Sequence, residues 1–299
     1  MHGTLTHNYV ISLTTAEKRR QHIENEFGKQ NIPFSFFDAV TPSNIEEVAE
    51  KLNIILDRSP KALLSDTEIG CALSHIFLWH FMLENQLDYI NIFEDDIHLG
   101  ENAKALLEID YLPDDTDVLK LEANGRIFGG EPSKIKCNRE IIPLTFKQSG
   151  AAGYTLTPKG AKYLLSKVQN KQLTLPADDI LFVEFLSQKD YNVVQLLPGI
   201  CVQDFIINPN PFESSLSAGR AQVSHNQIKS SPLEKIKKEW IRVKRRLFGN
   251  PFPSSKSAVK FDRTFVLELN FPIINMNGIA RHIKRVSFAL PFNDKASPG

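Results

Sequence analysis

Cysteine is scarce in this chain. Cys71, Cys137 and Cys201 are odd in number and far apart, which excludes a disulfide framework and any C-x-x-C metal site. Long apolar runs are missing too: nothing approaches the ~18 to 20 consecutive residues a membrane-spanning helix needs. The segment before Tyr9 is polar, so neither a secretory leader nor an anchor is expected there, and a reducing, cytoplasmic compartment is. No Gly-x-x-x-x-Gly-Lys phosphate loop occurs. No internal repeat or low-complexity tract occurs either. Net charge is also absent, with 35 Lys+Arg against 35 Asp+Glu over 299 residues. That balance hides an asymmetry, because the segment from Lys229 onward holds 15 basic and 5 acidic residues. An acidic body thus precedes a basic tail, and the acidic body argues against a broad nucleic-acid footprint.

What is present is a globular composition, 42% hydrophobic, with chemistry concentrated at one stretch. Tyr89-Ile90-Asn91-Ile92-Phe93 reads as a buried strand and stops on Glu94-Asp95-Asp96. Two like charges at about 4 Å repel by roughly 1 kcal/mol in water and several-fold more near a protein surface. A solvated acidic turn is the plain reading. A hard cation, Mg²⁺ or Mn²⁺, is the functional one, favoured by the position beyond a strand's carboxyl end, where open α/β sheets bind ligands.

The strands and helices around this stretch alternate. Residues 9–13 read as a first strand, residues 16–27 as a helix capped by Thr14 or Thr15, and residues 34–37 as a second strand ending at Asp38, together a βαβ unit. Arg19 and Arg20 on that helix read as solvated. Asp38 suits either a ribose hydroxyl or a turn. Ser65-Asp66-Thr67-Glu68 is a capping box opening a helix over about 66–85, on which Gly70 and Ser74 admit a close neighbour. His75 on the same helix reads as a hydrogen-bonded structural residue.

Residues 117–122 read as another strand ending on an acid, and 124–139 as a loop over the substrate. Small residues in Gly150-Ala151-Ala152-Gly153-Tyr154 allow close backbone approach to a ligand. Thr157 and Pro158 open a helix through Leu165. Asp178 reads as the N-cap of a helical run over 180–187, and a last strand region is expected over 196–207. In the tail, Leu233, Ile236, Trp240, Val243 and Leu247 follow a helical period among seven basic residues. Such a helix suits an anionic membrane surface or packing on the body. The expected division is a body over 1–228 and a basic region over 229–299.

Several stretches together resemble one family. They are Val10-Ile11-Ser12-Leu13 with Glu17-Lys18-Arg19-Arg20, Pro33 to Ala39, Ser74-His75 with Leu78-Trp79, and Phe93-Glu94-Asp95-Asp96. Leu121-Glu122, Gly150-x-Ala152-Gly153-Tyr154 and Pro176-x-Asp178 follow in family order. The chain resembles, over about residues 8–220, the bacterial lipooligosaccharide galactosyltransferases of glycosyltransferase family 25, the LgtB-like enzymes. The resemblance implies an α/β GT-A fold, a Rossmann-like mixed sheet with helices on both faces, and a basic C-terminal extension. It implies inverting transfer of galactose from UDP-galactose to a lipooligosaccharide or other oligosaccharide acceptor, often with a β-1,4 linkage; the basic tail is expected to attach the protein peripherally to the cytoplasmic face of the inner membrane. The resemblance places Asp96 and Glu94 on Mn²⁺ or Mg²⁺ and Ser12, Asp38, Glu94, Asp95, Gly153 and Tyr154 on the donor. Asp178 is then the general base, with Asp179 a competing carboxylate. Which two of the three acids hold the cation stays open, and no downstream histidine matches a further ligand.

Overall fold

A computed structural model of the chain describes residues 6–60, 62–122, 134–212, 273–274 and 280–281. The elements in chain order are β1 (Asn8–Ser12), α1 (Glu17–Gly28), β2 (Ser35–Asp38), α2 (Ile45–Lys51), β3 (Ile55–Leu56), α3 (Asp66–Glu84), β4 (Ile90–Glu94), β5 (Ile97–Leu99) and α4 (Ala103–Leu106). There follow β6 (Val118–Lys120), β7 (Lys134–Lys136), β8 (Arg139–Pro143), β9 (Gly153–Leu156), α5 (Pro158–Val168), β10 (Gln172–Leu173) and α6 (Ala177–Asp179), which runs into one π-helical turn, Ile180–Glu184. Then come β11 (Val193–Leu197), β12 (Cys201–Gln203), α7 (Asp204–Ile207), and a two-residue pairing of β13 (Ile273–Ile274) with β14 (Ala280–Arg281). The rest of the basic tail, including the 233–247 stripe, and residues 228–229, where the body was expected to end, lie outside the described residues.

The sheet has eight strands in the order β2-β1-β4-β9-β6-β11-β8-β7. β2, β1 and β4 are parallel, β9 runs against both β4 and β6, and β11 is parallel to β6. Apolar side chains leave both faces of the inner strands, so both faces are covered. Ile90 and Ile92 of β4 pack with α2, α3 and α5, whereas Phe93 packs with Ile23 and Phe27 of α1 and Leu106 of α4. This is the expected mixed, Rossmann-like sheet with helices on both faces.

The chain leaves β1 toward β2 on one side, and β4 is added on the other. The boundary between β1 and β4 is therefore a topological switch point, with a crevice beyond their carboxyl ends. The register Ile11↔Glu94 sets Ser12 beside the acidic triplet.

Local expectations fared unevenly. The capping box forms in full, with Ser65 accepting from the Glu68 N–H and Glu68 accepting from the Ser65 N–H. A Cβ on Gly70 would lie 2.5 Å from the Val40 carbonyl oxygen, and the Val40 N–H donates to Ser74 Oγ at 2.9 Å, so this helix face does receive a close neighbour. Thr157 caps α5 with Pro158 behind it. Neither Thr14 nor Thr15 caps α1; Ala16 holds the N-cap position without a side-chain bond. The segment expected as a loop over 124–139 contains β7 and the start of β8 in its described part. Their turn is made by Cys137 and Asn138, both at positive φ, 51° and 59°. The run 180–187 yields a π turn rather than an α-helix, and the strand region 196–207 splits into β11, β12 and α7.

Candidate active site

The site is built where β1 and β4 end. Asp95 is 6% exposed, and the protein itself satisfies both of its oxygens: Ser12 Oγ donates to Oδ2 at 2.7 Å and Arg19 Nη1 to Oδ1 at 2.7 Å. Asp95 thus braces β4 against β1 and α1. Arg19, expected to be solvated, is instead only 16% exposed and reaches on to within 3.8 Å of Asp96 Oδ2. Burial opposes its charge, but Asp95, Asp96 and Glu94 hold it firmly protonated. Placing this arginine required the β1/β4 adjacency, which helical periodicity alone does not contain.

Asp96 is different. Its Oδ1 is buried with no hydrogen-bond partner among the described residues, an uncommon state for a carboxylate oxygen. Burial, aided by Glu94 and Asp95 and opposed by Arg19 and Gln203, pushes its carboxyl up to about 7. Glu94 Oε2 accepts from Gln203 Nε2 at 3.3 Å. Gln203 arrives on β12, paired antiparallel with β5 in the register Ile97↔Gln203. Three acids against one arginine leave the pocket short of positive charge. Glu94 and Asp96 form a hard oxygen donor set with one orphaned oxygen, which fits a Mg²⁺- or Mn²⁺-like cation.

Behind Glu94 stands a buried polar chain. Trp79 Nε1, which can only donate, gives its proton to Tyr154 Oη at 2.8 Å. The Tyr154 hydroxyl meets His75 Nδ1 at 2.9 Å, and His75 Nε2 lies 3.6 Å from Glu94 Oε1. If the tyrosine proton goes to Nδ1, the imidazole proton sits on Nε2 and faces the carboxylate. His75 is therefore hydrogen-bonded and structural, as its sequence context indicated, yet it also touches the acidic cluster.

Of the remaining expected donor residues, Gly153 and Tyr154 are buried and Asp38 is exposed. Tyr154 is fully buried with its hydroxyl consumed by Trp79 and His75, so its side chain does not face a ligand. Gly153 is a packing glycine: a Cβ there would lie 2.2 Å from Cys201 Sγ. The resemblance placed both on the donor, and the small residues around them suggested close backbone approach; here the stretch packs into the core. Asp38 is exposed at the end of β2 and paired with Arg20, on the far side of β1 from β4.

Asp178 lies within α6, whose N-cap is Pro176, and it accepts instead from the Gly150 N–H at 3.0 Å through Oδ2, so the N-cap reading fails. Gly150 is held in turn by the buried Lys120 ammonium, which bonds the Ser149 and Gly150 carbonyl oxygens and Glu122. Burial, then Asp178 and Glu184, raise the neighbouring Asp179 carboxyl against Lys147. Lys120, Gln203 and Arg19 are the contributors that sequence reasoning missed. Only Lys120, a cation inside an otherwise apolar strand, carried a visible signal.

The sequence is similar to those of known proteins. The family described as "Glycosyltransferase family 25 (LPS biosynthesis protein)" matches residues 5–181. A "Putative glycosyltransferase" of Haemophilus influenzae is 66% identical over 254 residues, covering 85% of this chain and 90% of its own. "Lipooligosaccharide biosynthesis protein lic2B" of Haemophilus influenzae is 38% identical, covering 68% and 77%. "Lacto-N-neotetraose biosynthesis glycosyltransferase LgtB" of Neisseria meningitidis serogroup B is 32% identical, covering 79% and 91%. With a family match over more than half its length and near-full-length relatives at these identities, the chain is a member of glycosyltransferase family 25, LgtB-like, in the group that builds lipooligosaccharide.

Proposed function

We propose that this glycosyltransferase moves galactose from UDP-galactose to a sugar of the lipooligosaccharide core, with inversion and formation of a β-1,4 linkage. The observation that carries the reading is the Asp96 oxygen, buried and without a hydrogen-bond partner among the described residues, beside Glu94 at the switch point of the sheet. Relatives named for lipooligosaccharide and lacto-N-neotetraose biosynthesis support the acceptor class.

Glu94 and Asp96 would hold Mn²⁺ or Mg²⁺, which supplies positive charge to the departing diphosphate. Asp95, bonded to Ser12 and Arg19, fixes the strand end that presents both acids. Arg19 adds a cation at the same crevice. Asp178, aimed by the Gly150 N–H, takes the proton of the attacking acceptor hydroxyl, the one proton transfer an inverting displacement needs. Asp38, beyond β2, is retained as a partner for the donor's ribose.

Among the described residues no helix is long and apolar enough to cross a membrane. Attachment is proposed instead through the basic stripe around Leu233 to Leu247, on the cytoplasmic face of the inner membrane near the lipid-linked acceptor. The body over 1–228 and the basic region over 229–299 then have separate tasks.

The test is a panel of UDP-sugars with a lipooligosaccharide acceptor, with and without Mn²⁺, reading UDP release and the anomeric configuration of the product. UDP-galactose turnover that needs Mn²⁺ and falls by about 10²- to 10⁴-fold in Asp178→Asn is the expected result. Preference for a glucose or N-acetylhexosamine donor would move the donor assignment. Binding of UDP without turnover on any acceptor would make the chain a sugar-nucleotide-binding protein of this fold.

A further inference from the structure

A second group of ligating side chains contains neither Glu94 nor Asp96. His22 and Glu26 are four residues apart on α1 and so share one helical face. His98, the middle residue of β5, meets that face. One ring nitrogen from each histidine and one Glu26 oxygen all lie within 4.8 Å of one another. His98 Nδ1 is 3.9 Å from Glu26 Oε1, and the two imidazole rings meet edge to face at 4.6 Å.

Proton positions suit metal binding. The Ile97 carbonyl accepts from His22 Nε2 at 2.7 Å, which leaves the lone pair of the neutral ring on Nδ1. Asp204 Oδ1 accepts from His98 Nε2 at 2.7 Å, which leaves that ring's lone pair on Nδ1 as well. His98 Nδ1 is buried with no hydrogen-bond partner among the described residues. Metal-ligating histidines typically donate their other N–H to a carboxylate or a backbone carbonyl, and both forms occur here side by side. Glu26 Oε2 accepts from the Leu99 N–H at 2.9 Å, which orients the carboxylate. Its Oε1 accepts from Lys29 Nζ, and that lysine is 54% exposed, so it can turn out to water when a cation takes its place.

We infer that His22, Glu26 and His98 form a second metal site, for a Zn²⁺-class transition ion with water as fourth ligand, distinct from the carboxylate pair. Two imidazoles and one carboxylate favour Zn²⁺ over Mg²⁺ or Mn²⁺. Metal–ligand bonds of about 2.0–2.2 Å imply ligand separations of roughly 3.4 Å, so closing the site from separations of up to 4.8 Å takes shifts of up to about 0.7 Å at each side chain of a pair. The ion ties α1 to β5 and, through Asp204, to the segment that reaches Phe212. Because α1 also carries Arg19, the clip steadies the helix that braces Asp95.

The experiment uses the full chain, stripped with chelator and titrated with Zn²⁺ against a chromophoric chelator in excess Mg²⁺, which fills hard oxygen sites. Wild type and Asp96→Asn should each bind one equivalent with Kd at or below about 1 µM, and Zn²⁺ should raise the Tm of both. His22→Gln and Glu26→Gln should weaken that equivalent by more than tenfold, and Asp204→Asn by about 10- to 100-fold. His22 is only partly buried, so its variant is expected to fold, as its circular dichroism would show. Absence of a Zn²⁺ equivalent in wild type would overturn the site. So would an equivalent that survives in His22→Gln, or one that Asp96→Asn removes.

Discussion

Replacing Lys120 by methionine probes how the buried interior supports the site. The Lys120 and Glu122 side chains are both fully buried, with Nζ 3.2 Å from Glu122 Oε2 and 4.1 Å from the centre of the Phe182 ring. Burial raises the Glu122 carboxyl, and Lys120 pulls it back down. Removing one member of a buried pair leaves the other uncompensated and costs about 3–5 kcal/mol. At about 2–4 °C per kcal/mol for a body of this size, the Tm falls by roughly 6–20 °C. Pairing Lys120→Met with Glu122→Gln removes the stranded charge while keeping an acceptor for the Ala152 N–H, so more than half of the loss should return. The double variant still lacks the ammonium that holds Ser149 and Gly150, and Gly150 aims Asp178. Its kcat should therefore stay low well below its Tm. Calorimetry and urea melts on the three proteins, with turnover at 20 °C, decide the matter. A single-variant loss under about 1 kcal/mol, or a double variant no better than the single, would refute the reasoning.

Gly153→Ala places a methyl against Cys201 Sγ and should cost about 1–3 kcal/mol in a urea melt, with Cys201→Ala restoring most of it. For the metal-free protein, Asp96 titrates near 7, well above an ordinary carboxyl. Protons then compete with the cation, so Mn²⁺ affinity should fall about tenfold per pH unit below 7, measured by calorimetry from pH 8 to 5.5. The same shift means the metal-free fold holds this proton more tightly than the unfolded chain, so Asp96 contributes a loss of stability as pH rises from about 4 to 7. Mn²⁺ should reverse that trend in a series of thermal melts. Deleting residues 229–299 should abolish sedimentation with anionic liposomes while leaving transfer to a soluble acceptor intact; unchanged sedimentation would remove the tail from the account.

What was legible in the sequence depended on whether its cause was local. The Ser65–Glu68 capping box, the Gly70/Ser74 contact face and the Thr157-Pro158 helix start rest on interactions within one or two turns or on side-chain size, and all three formed. β4 was visible because an apolar run ends on acids. The division of labour among those acids was not, because Ser12 and Arg19 reach Asp95 only once β1 lies beside β4. Tyr154 was placed on the donor by resemblance, and a matching motif does not reveal that β9 is buried along its whole length with the hydroxyl taken by Trp79 and His75. The β7–β8 hairpin was hidden because its left-handed turn uses Cys137 and Asn138 rather than glycine.

The central claim is that Glu94 and Asp96 hold a divalent cation while Asp95 serves as brace. It is tested most directly by calorimetric titration of Mn²⁺ into the UDP-saturated protein, wild type against Asp96→Asn. The account predicts one equivalent of Mn²⁺ in the wild type and an affinity at least about 100-fold weaker in the variant, since the asparagine cannot supply the anionic oxygen left without a hydrogen-bond partner among the described residues. Equal affinity in the two proteins would contradict it.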